Sequence, residues 1–429
     1  MVSKELLKRI TRKIETMPVI DLHCHLNCGR VFKPKHGQLK ASNLTDILFY
    51  HFVQAELVSS GMPIEKLSEK INPEERVKNA LPYLKHIRNT STYWSLRKIF
   101  SDLYGLKEDI TGKNWEIFYE KVLQSNQKKN WAEEVLLDKA KIKHFVTPVI
   151  NRNPKKNPEF ASFTYESAGI YPALFDFEDL FSHLQSLLKI KSADSLKEAV
   201  NNFFKNMLKE EVSSITTWIP CDFKFFEVKK NEIDTIFKKK KSSFSKIDKA
   251  KLLSFALGQI LKCASEKKFP VFMPIGAKVV NAYPITQTGY SISEFSSSIG
   301  KEISLLACRY PQVEFLMLSA TINLCQELAI VAKMCPNVYV MGYWWHCLYP
   351  TYIERMLSER LEILPANKII GFFSDAYCVE WSYGKLSLIK KVLAKVLTEK
   401  VQEGYFSEDF AIELVQKILY ENPERIFRI

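Results

Sequence analysis

The chain has 429 residues, of which 46% are hydrophobic and 25% charged, which suits a folded protein with a sizeable core and excludes a disordered, collagenous or disulfide-miniature class. Lys plus Arg number 61 against 48 Asp plus Glu, a formal charge of +13 that raises a nucleic-acid reading, yet no nucleic-acid motif accompanies it. Nine scattered cysteines without a Cys-x-x-Cys pair, no apolar run long enough to span a bilayer and no secretory leader point to a reduced, cytoplasmic protein with no membrane partner.

Residues 1–17 read as a charged amphipathic helix, and Pro18 then opens the first β-branched run, Val19-Ile20-Asp21-Leu22-His23. Apolar spacing of three and four follows at 44–60, 73–87, 93–104 and 114–125. More than a hundred residues separate His25 from His144, too many for a structureless loop, so a helical insertion is expected to fold over the site as a lid or part of its pocket. Further strand-like runs come at 144–150, 169–175, 214–219, 270–275, 313–318, 337–342 and 368–373. Helical patterns fill most of the gaps, the clearest at 247–265, 293–310, 322–334, 352–361, 385–400 and 408–420. Positions 229–251 carry nine lysines against Glu232, Asp234 and Asp248, which reads as a solvated insertion. Nucleic acid is therefore not an expected partner.

Strands alternating with helices predict an α/β protein with a parallel sheet, and eight of them predict closure into a (β/α)8 TIM barrel. The large insertion after strand one sets the expected organisation: barrel at 1–26 and 140–429, helical subdomain at 27–139. A doubly wound sheet is the structural alternative, weakened because no Gly-x-Gly-x-x-Gly follows the first strand.

A barrel of this kind gathers chemistry at the carboxyl ends of its strands. Strand one ends in His23-Cys24-His25, and alternation turns both imidazoles to one face while Cys24 points away. Strand eight, its neighbour in a closed barrel, ends in Ser374-Asp375. Two imidazoles and a carboxylate suit one divalent metal, Zn2+ or Mn2+, with positions left open for water or substrate. The other strand ends offer Asn151, Arg152, Asp176, Asp222, Lys278, Thr321, Asn323 and the run Trp344-Trp345-His346. His346 is a candidate acid/base or substrate contact. The paired tryptophans read as core or as a sugar-stacking wall, with core the better reading for one of them.

The opening Val-Ile-Asp-Leu-His-Cys-His-Leu (19–26) resembles the first-strand motif of the amidohydrolase superfamily, and Cys24 between the histidines makes it most similar to the uronate isomerases. The likeness continues in Tyr50-His51-Phe52, Asn89 to Trp94, Pro274 to Ala277, Gly342 to Trp345, Ser374-Asp375 with Ser382-Tyr383, and the closing Asn422 to Phe427. The resemblance implies a metal-dependent aldose–ketose isomerase of small acid sugars, hexuronates, that moves a proton between C2 and C1 and assembles as a homo-oligomer. It places His23, His25 and Asp375 around the metal, with Asp375 also a candidate to move the proton. The substrate's acid group needs a cation, for which Lys278, Lys385, Arg88 and Arg30 are candidates, and Trp345, Tyr93 and His51 are candidate pocket residues. The chain departs from the family pattern at Pro274, at Asp222-Phe223 and at Gly384-Lys385, where the uronate isomerases usually show histidine, Asp-His and Arg-His. A metal-dependent hydrolase or decarboxylase on the same barrel, or a non-catalytic relative, are the competing readings.

Overall fold

The computed structural model describes residues 3–31, 43–128, 130–153, 157–165, 189–209, 212–279 and 291–429. One sheet holds eight parallel strands in chain order: β1 (Val19–Asp21), β2 (Ile142–Pro148), β3 (Ala161–Tyr165), β4 (Val212–Thr216), β5 (Val271–Ile275), β6 (Phe315–Ser319), β7 (Val338–Met341) and β8 (Ile369–Ile370). Each strand lies beside its predecessor, as in a (β/α)8 barrel, whereas a doubly wound sheet reverses its order midway. Past the strand ends, Asp375 N–H donates to His23 O and His25 N–H donates to Ala376 O, each at 2.8 Å. Those bonds join the last segment of the sheet order to the first.

Side chains alternate along the strands between two cores. Ile20, Phe272, Leu316, Tyr339 and Ile370 belong to an inner cluster that also receives Ile426 and Phe427 from the C-terminal helix Asn422–Phe427. Their neighbours Val19, Val271, Phe315, Val338 and Ile369 pack outward among the helices. A period of two with both faces buried is what a closed sheet requires when helices cover the outside and its own side chains fill the inside.

Most sequence-predicted elements stand within a few residues of the observed ones. The run 169–175, read as strand three, lies outside the described residues, as does Asp176, and the third strand of the sheet is Ala161–Tyr165. The single helix expected over 44–60 is two, Leu44–Leu48 and His51–Ser59, because Tyr50 adopts an extended ψ of 138° between them. The helix expected over 293–310 starts later, at Ile299–Arg309, since Ser291–Ser293 pairs antiparallel with Ala277–Val279. Within the lysine-rich stretch, helix Lys230–Phe237 and the long helix Lys246–Lys267 are tied by Lys251–Glu232 at 2.6 Å, and Lys239 meets Asp248 at 2.9 Å. No helix among the described residues is long and apolar enough to cross a membrane.

The helices between β1 and β2 dock on the helix after β8, Val379–Gln402. Glu380, 0% exposed, accepts from Tyr104 Oη at 2.8 Å and Trp131 Nε1 at 2.9 Å. Trp381 Nε1 donates to Ile47 O at 2.9 Å, and Tyr383 Oη donates to Asp102 at 2.5 Å. Glu380→Ala strands two buried donors, which cost about 1–3 kcal/mol each when unsatisfied. A urea titration should find the variant about 3 kcal/mol less stable, with Glu380→Gln recovering part of that loss.

His144, on β2, hydrogen-bonds Ser162 at 2.7 Å, and burial pushes its imidazole pKa down to about 4. An unfolded histidine titrates near 6.5, so the folded chain favours the neutral ring. That contribution is complete above about pH 6.5 and drains away as the pH falls toward 4. Between pH 7 and pH 4, His144→Gln should lose about 2 kcal/mol less unfolding free energy than the parent. Equal losses in the two proteins would show that His144 is not a source of acid sensitivity.

Candidate active site

The site forms where the ends of β1 and β8 are stitched together. Beyond Asp21 the chain leaves the ladder as an extended segment, and β8 gives way to Gly371–Ala376 alongside it. The buried Asp21 carboxylate accepts from Ser374 N–H at 2.8 Å, and Ser382 Oγ donates to Ser374 Oγ at 3.3 Å. Burial pushes the Asp21 carboxyl up to about 6 against those hydrogen bonds from Ser374. Asp375 holds a left-handed backbone, φ 53°, a conformation that costs a non-glycine residue energy and that the flanking bonds to β1 fix in place.

Three side chains converge on that seam. His23 Nε2 lies 3.3 Å and His25 Nε2 3.1 Å from Asp375 Oδ1, and ligand atoms of all three fall within 4.8 Å of one another. The imidazoles meet edge to face, 4.9 Å between centroids at 83°. His23 also abuts Phe272 and Phe373 of the inner core, so the group sits at one end of the barrel filling. Cys24, between them, points into the outer core and donates its thiol to Val146 O, as strand alternation requires.

Burial alone would raise the carboxyl pKa of Asp375, but hydrogen bonds from His23 and His25 and the Lys385 ammonium overcome it and hold the group well below the ordinary carboxylate range. The two oxygens have different neighbours: Oδ1 faces both imidazoles, while Oδ2 faces His51 Nε2 at 3.8 Å. Burial pushes the His51 imidazole down to about 3, despite the pull of Asp375, so this ring is neutral at pH 7. Lys385 is 4% exposed, with Nζ 5.1 Å from the Tyr50 ring centre and 4.8 Å from that of Phe52. Burial pushes its pKa down to about 8, against the attraction of Asp375 and Asp21. Tyr50 Oη completes the floor by donating to the Asp375 carbonyl at 3.0 Å.

The sequence therefore names His23, His25, Asp375, His51 and Lys385, and the fold brings them together. Arg88 and Tyr93 are engaged with Asp109. Arg88 pairs with Asp109 at 3.3 Å, and Tyr93 is buried against the same two charged groups, with burial pushing its phenol pKa up to about 12. Lys278 lies on the short antiparallel ribbon, and its side chain, like that of Arg30, is outside the described residues. Trp344 is core and stacks edge-on against Trp218 at 4.7 Å, while the half-buried Trp345 carries a left-handed φ of 43° and leads into the short turn holding His346. At the other strand ends, Thr321 caps the turn Ile322–Leu324, Asn151 donates to Thr147, and Asp222 is exposed. Asp21 and Tyr377 are the neighbours of the cluster that reading the strand ends overlooked. Each lies two residues from a cluster member, the same spacing that singled out His23 and His25.

Two ligand atoms bound at about 2.1 Å to one tetrahedral ion lie roughly 3.4 Å apart. The separations of 3.1 and 3.3 Å between imidazole nitrogen and carboxylate oxygen match that spacing. Two imidazoles beside a carboxylate held ionised give the donor chemistry of a transition-metal site.

No family model matches the chain. Along its whole length it aligns with the uronate isomerase of Endomicrobium trichonymphae at 21% identity, covering 97% of that protein. Shorter matches join 125 residues to Protein fluG of Emericella nidulans at 26% identity and 100 residues to the uronate isomerase of Thermotoga sp. (strain RQ2) at 27%. These segments are 29% and 23% of this chain, and they span only 14% and 22% of those two relatives. Among solved structures, the uronate isomerase of Bacillus halodurans C-125 superposes with a TM-score of 0.79 at 19% identity, covering 100% of this chain and 97% of that one. That of Thermotoga maritima superposes with a TM-score of 0.82 at 16% identity, covering 99% and 98%. The chain shares their (β/α)8 fold and is similar in sequence to uronate isomerases at 21–27% identity.

Proposed function

We propose that this protein is a metal-dependent isomerase interconverting aldose and ketose forms of hexuronates. The observation that carries the reading is the division of labour within Asp375: one carboxylate oxygen turns to two imidazoles and the other to a neutral His51. His23, His25 and Asp375 Oδ1 would hold one divalent cation, Zn2+ or Mn2+. When bound, that cation supplies an electrophile for the C1 carbonyl and the C2 hydroxyl of the sugar.

The chain's own groups account for the proton movement. Asp375 Oδ2 takes the proton from C2 as the electron pair moves into a C1–C2 double bond, and the C2 hydroxyl passes its proton to the C1 oxygen, giving an enediolate. The same oxygen then delivers its proton to C1 as the C2 oxyanion becomes the ketone, so Asp375 ends ionised and atoms and charge balance. Both roles of Asp375 are compatible because they fall on different oxygens. His51, neutral at the working pH, offers a hydrogen bond beside Oδ2 without competing for the proton. Lys385 supplies positive charge next to the cluster, which keeps Asp375 ionised and attracts the substrate's acid group. His346 and Trp345, on the turn after β7, and Lys278 complete the proposed substrate contacts. The helical segment 27–139 serves as the cover that brings His51 to the pocket.

The experiment is a panel of hexuronates, D-glucuronate and D-galacturonate first, incubated with protein loaded with Zn2+ or Mn2+ and assayed for ketose. At least one acid sugar should be converted, and Asp375→Asn should lower kcat about 10^3-fold. Lys385→Met should raise KM for the acid sugar well above its effect on the corresponding neutral hexose. Failure of metal-loaded protein to convert any hexuronate would overturn the reading.

A further inference from the structure

Tyr377 takes no part in the chemistry above, yet it sits directly against the cluster. Its ring stacks on the His25 imidazole, 4.6 Å between centroids and 13° from parallel. It meets His51 edge-on at 5.6 Å and 80°, and lies 6.4 Å from Tyr50. Despite these contacts the residue is 58% exposed, the most open aromatic of the group around Asp375. A tyrosine held this way buries one face on a candidate metal ligand and leaves much of the rest to whatever approaches the cluster.

Its position is also fixed. Ser374 N–H is bonded to Asp21, Asp375 N–H to His23 O, Ala376 N–H to Ser374 Oγ, and Ala376 O receives His25 N–H. Every backbone unit leading to Tyr377 is thus pinned to β1 or to its own turn, so the ring is set by the same seam that sets the ligands. A group that is preorganised, aromatic, exposed and adjacent to the reacting centre is the kind that pockets use to orient substrate.

We infer that Tyr377 is a specificity-determining residue, the aromatic wall against which the carbon chain of the sugar packs while C1 and C2 face Asp375. The inference rests on the sugar-isomerase reading for its ligand. Sugars present hydrophilic hydroxyl rims and apolar C–H faces, and the electron-rich face of an aromatic ring receives polarised C–H bonds while shielding them from water. The Tyr377 ring lies 6.4 Å from Tyr50, and the buried ammonium of Lys385 lies 5.1 Å from Tyr50 and 4.8 Å from Phe52, so an exposed aromatic face and a positive charge flank the cluster. That asymmetry suits a polyhydroxylated chain ending in a carboxylate better than a neutral or fully apolar ligand.

The test compares parent, Tyr377→Ala and Tyr377→Phe, each loaded with Mn2+, by three readouts: Mn2+ affinity, calorimetric binding of the unreactive acid sugar D-gluconate, and kcat with KM for the converted hexuronate. Tyr377→Ala should weaken gluconate binding and raise KM about tenfold, with kcat within threefold and Mn2+ affinity within threefold of the parent. Tyr377→Phe should restore sugar affinity, because the ring and not the hydroxyl forms the wall. Unchanged gluconate binding in Tyr377→Ala overturns the inference. So does a parallel loss of Mn2+ and gluconate affinity, since the ring would then act only by holding His25. The binding readouts need no turnover, so a parent that binds gluconate through Tyr377 but converts no hexuronate would sink the isomerase reading and leave the wall standing.

Discussion

The seam between the first and last strands is the constraint on which the rest of this molecule depends. Two backbone hydrogen bonds and one buried carboxylate, Asp21 on Ser374, tie residues 21–25 to 374–376. They bring together chain segments more than three hundred residues apart, and they do so at the carboxyl ends of β1 and β8. Without that register, His23, His25 and Asp375 share no common centre. With it, a carboxylate in a buried setting stays ionised because two imidazoles and an ammonium surround it.

A second layer of contacts surrounds the seam. The helix after β8 carries Glu380, Trp381 and Tyr383 in succession, and each fastens a different part of the chain between β1 and β2. That docking sets Tyr50 and His51 over Asp375, while Lys385 rises from the same helix between aromatic rings. Fold and chemistry therefore meet in one helix: its buried polar residues hold the helices between β1 and β2, and one of its lysines places positive charge beside Asp375.

Much of this was legible in the residues, and the exceptions have physical reasons. The His-x-His ending of a short β-branched run and the Ser-Asp ending of another are local signals, and strand alternation correctly sends Cys24 away from its neighbours. Helix boundaries blur where caps compete with apolar spacing. The break at Tyr50 leaves the spacing across 44–60 intact, so only the backbone reveals it. Arg88 and Tyr93 find a partner in Asp109, and no short-range pattern announces a partner further along the chain. Asp21 reads as part of a strand until its burial against Ser374 is known. Tyr377 reads as a loop aromatic until its ring is found flat on His25. Lys385, where the sequence departs from the pattern it resembles, stands as a buried point charge beside Asp375.

The central claim is that His23, His25 and Asp375 share one cation. The direct measurement is metal content and affinity of the full chain after equilibration with Zn2+ or Mn2+, alongside His23→Ala and Asp375→Asn, with folding checked by circular dichroism. About one ion per chain is expected in the parent, with a loss of affinity of about a hundredfold or more in either variant. A well-folded parent that holds no ion, or variants that keep it undiminished, would contradict the account.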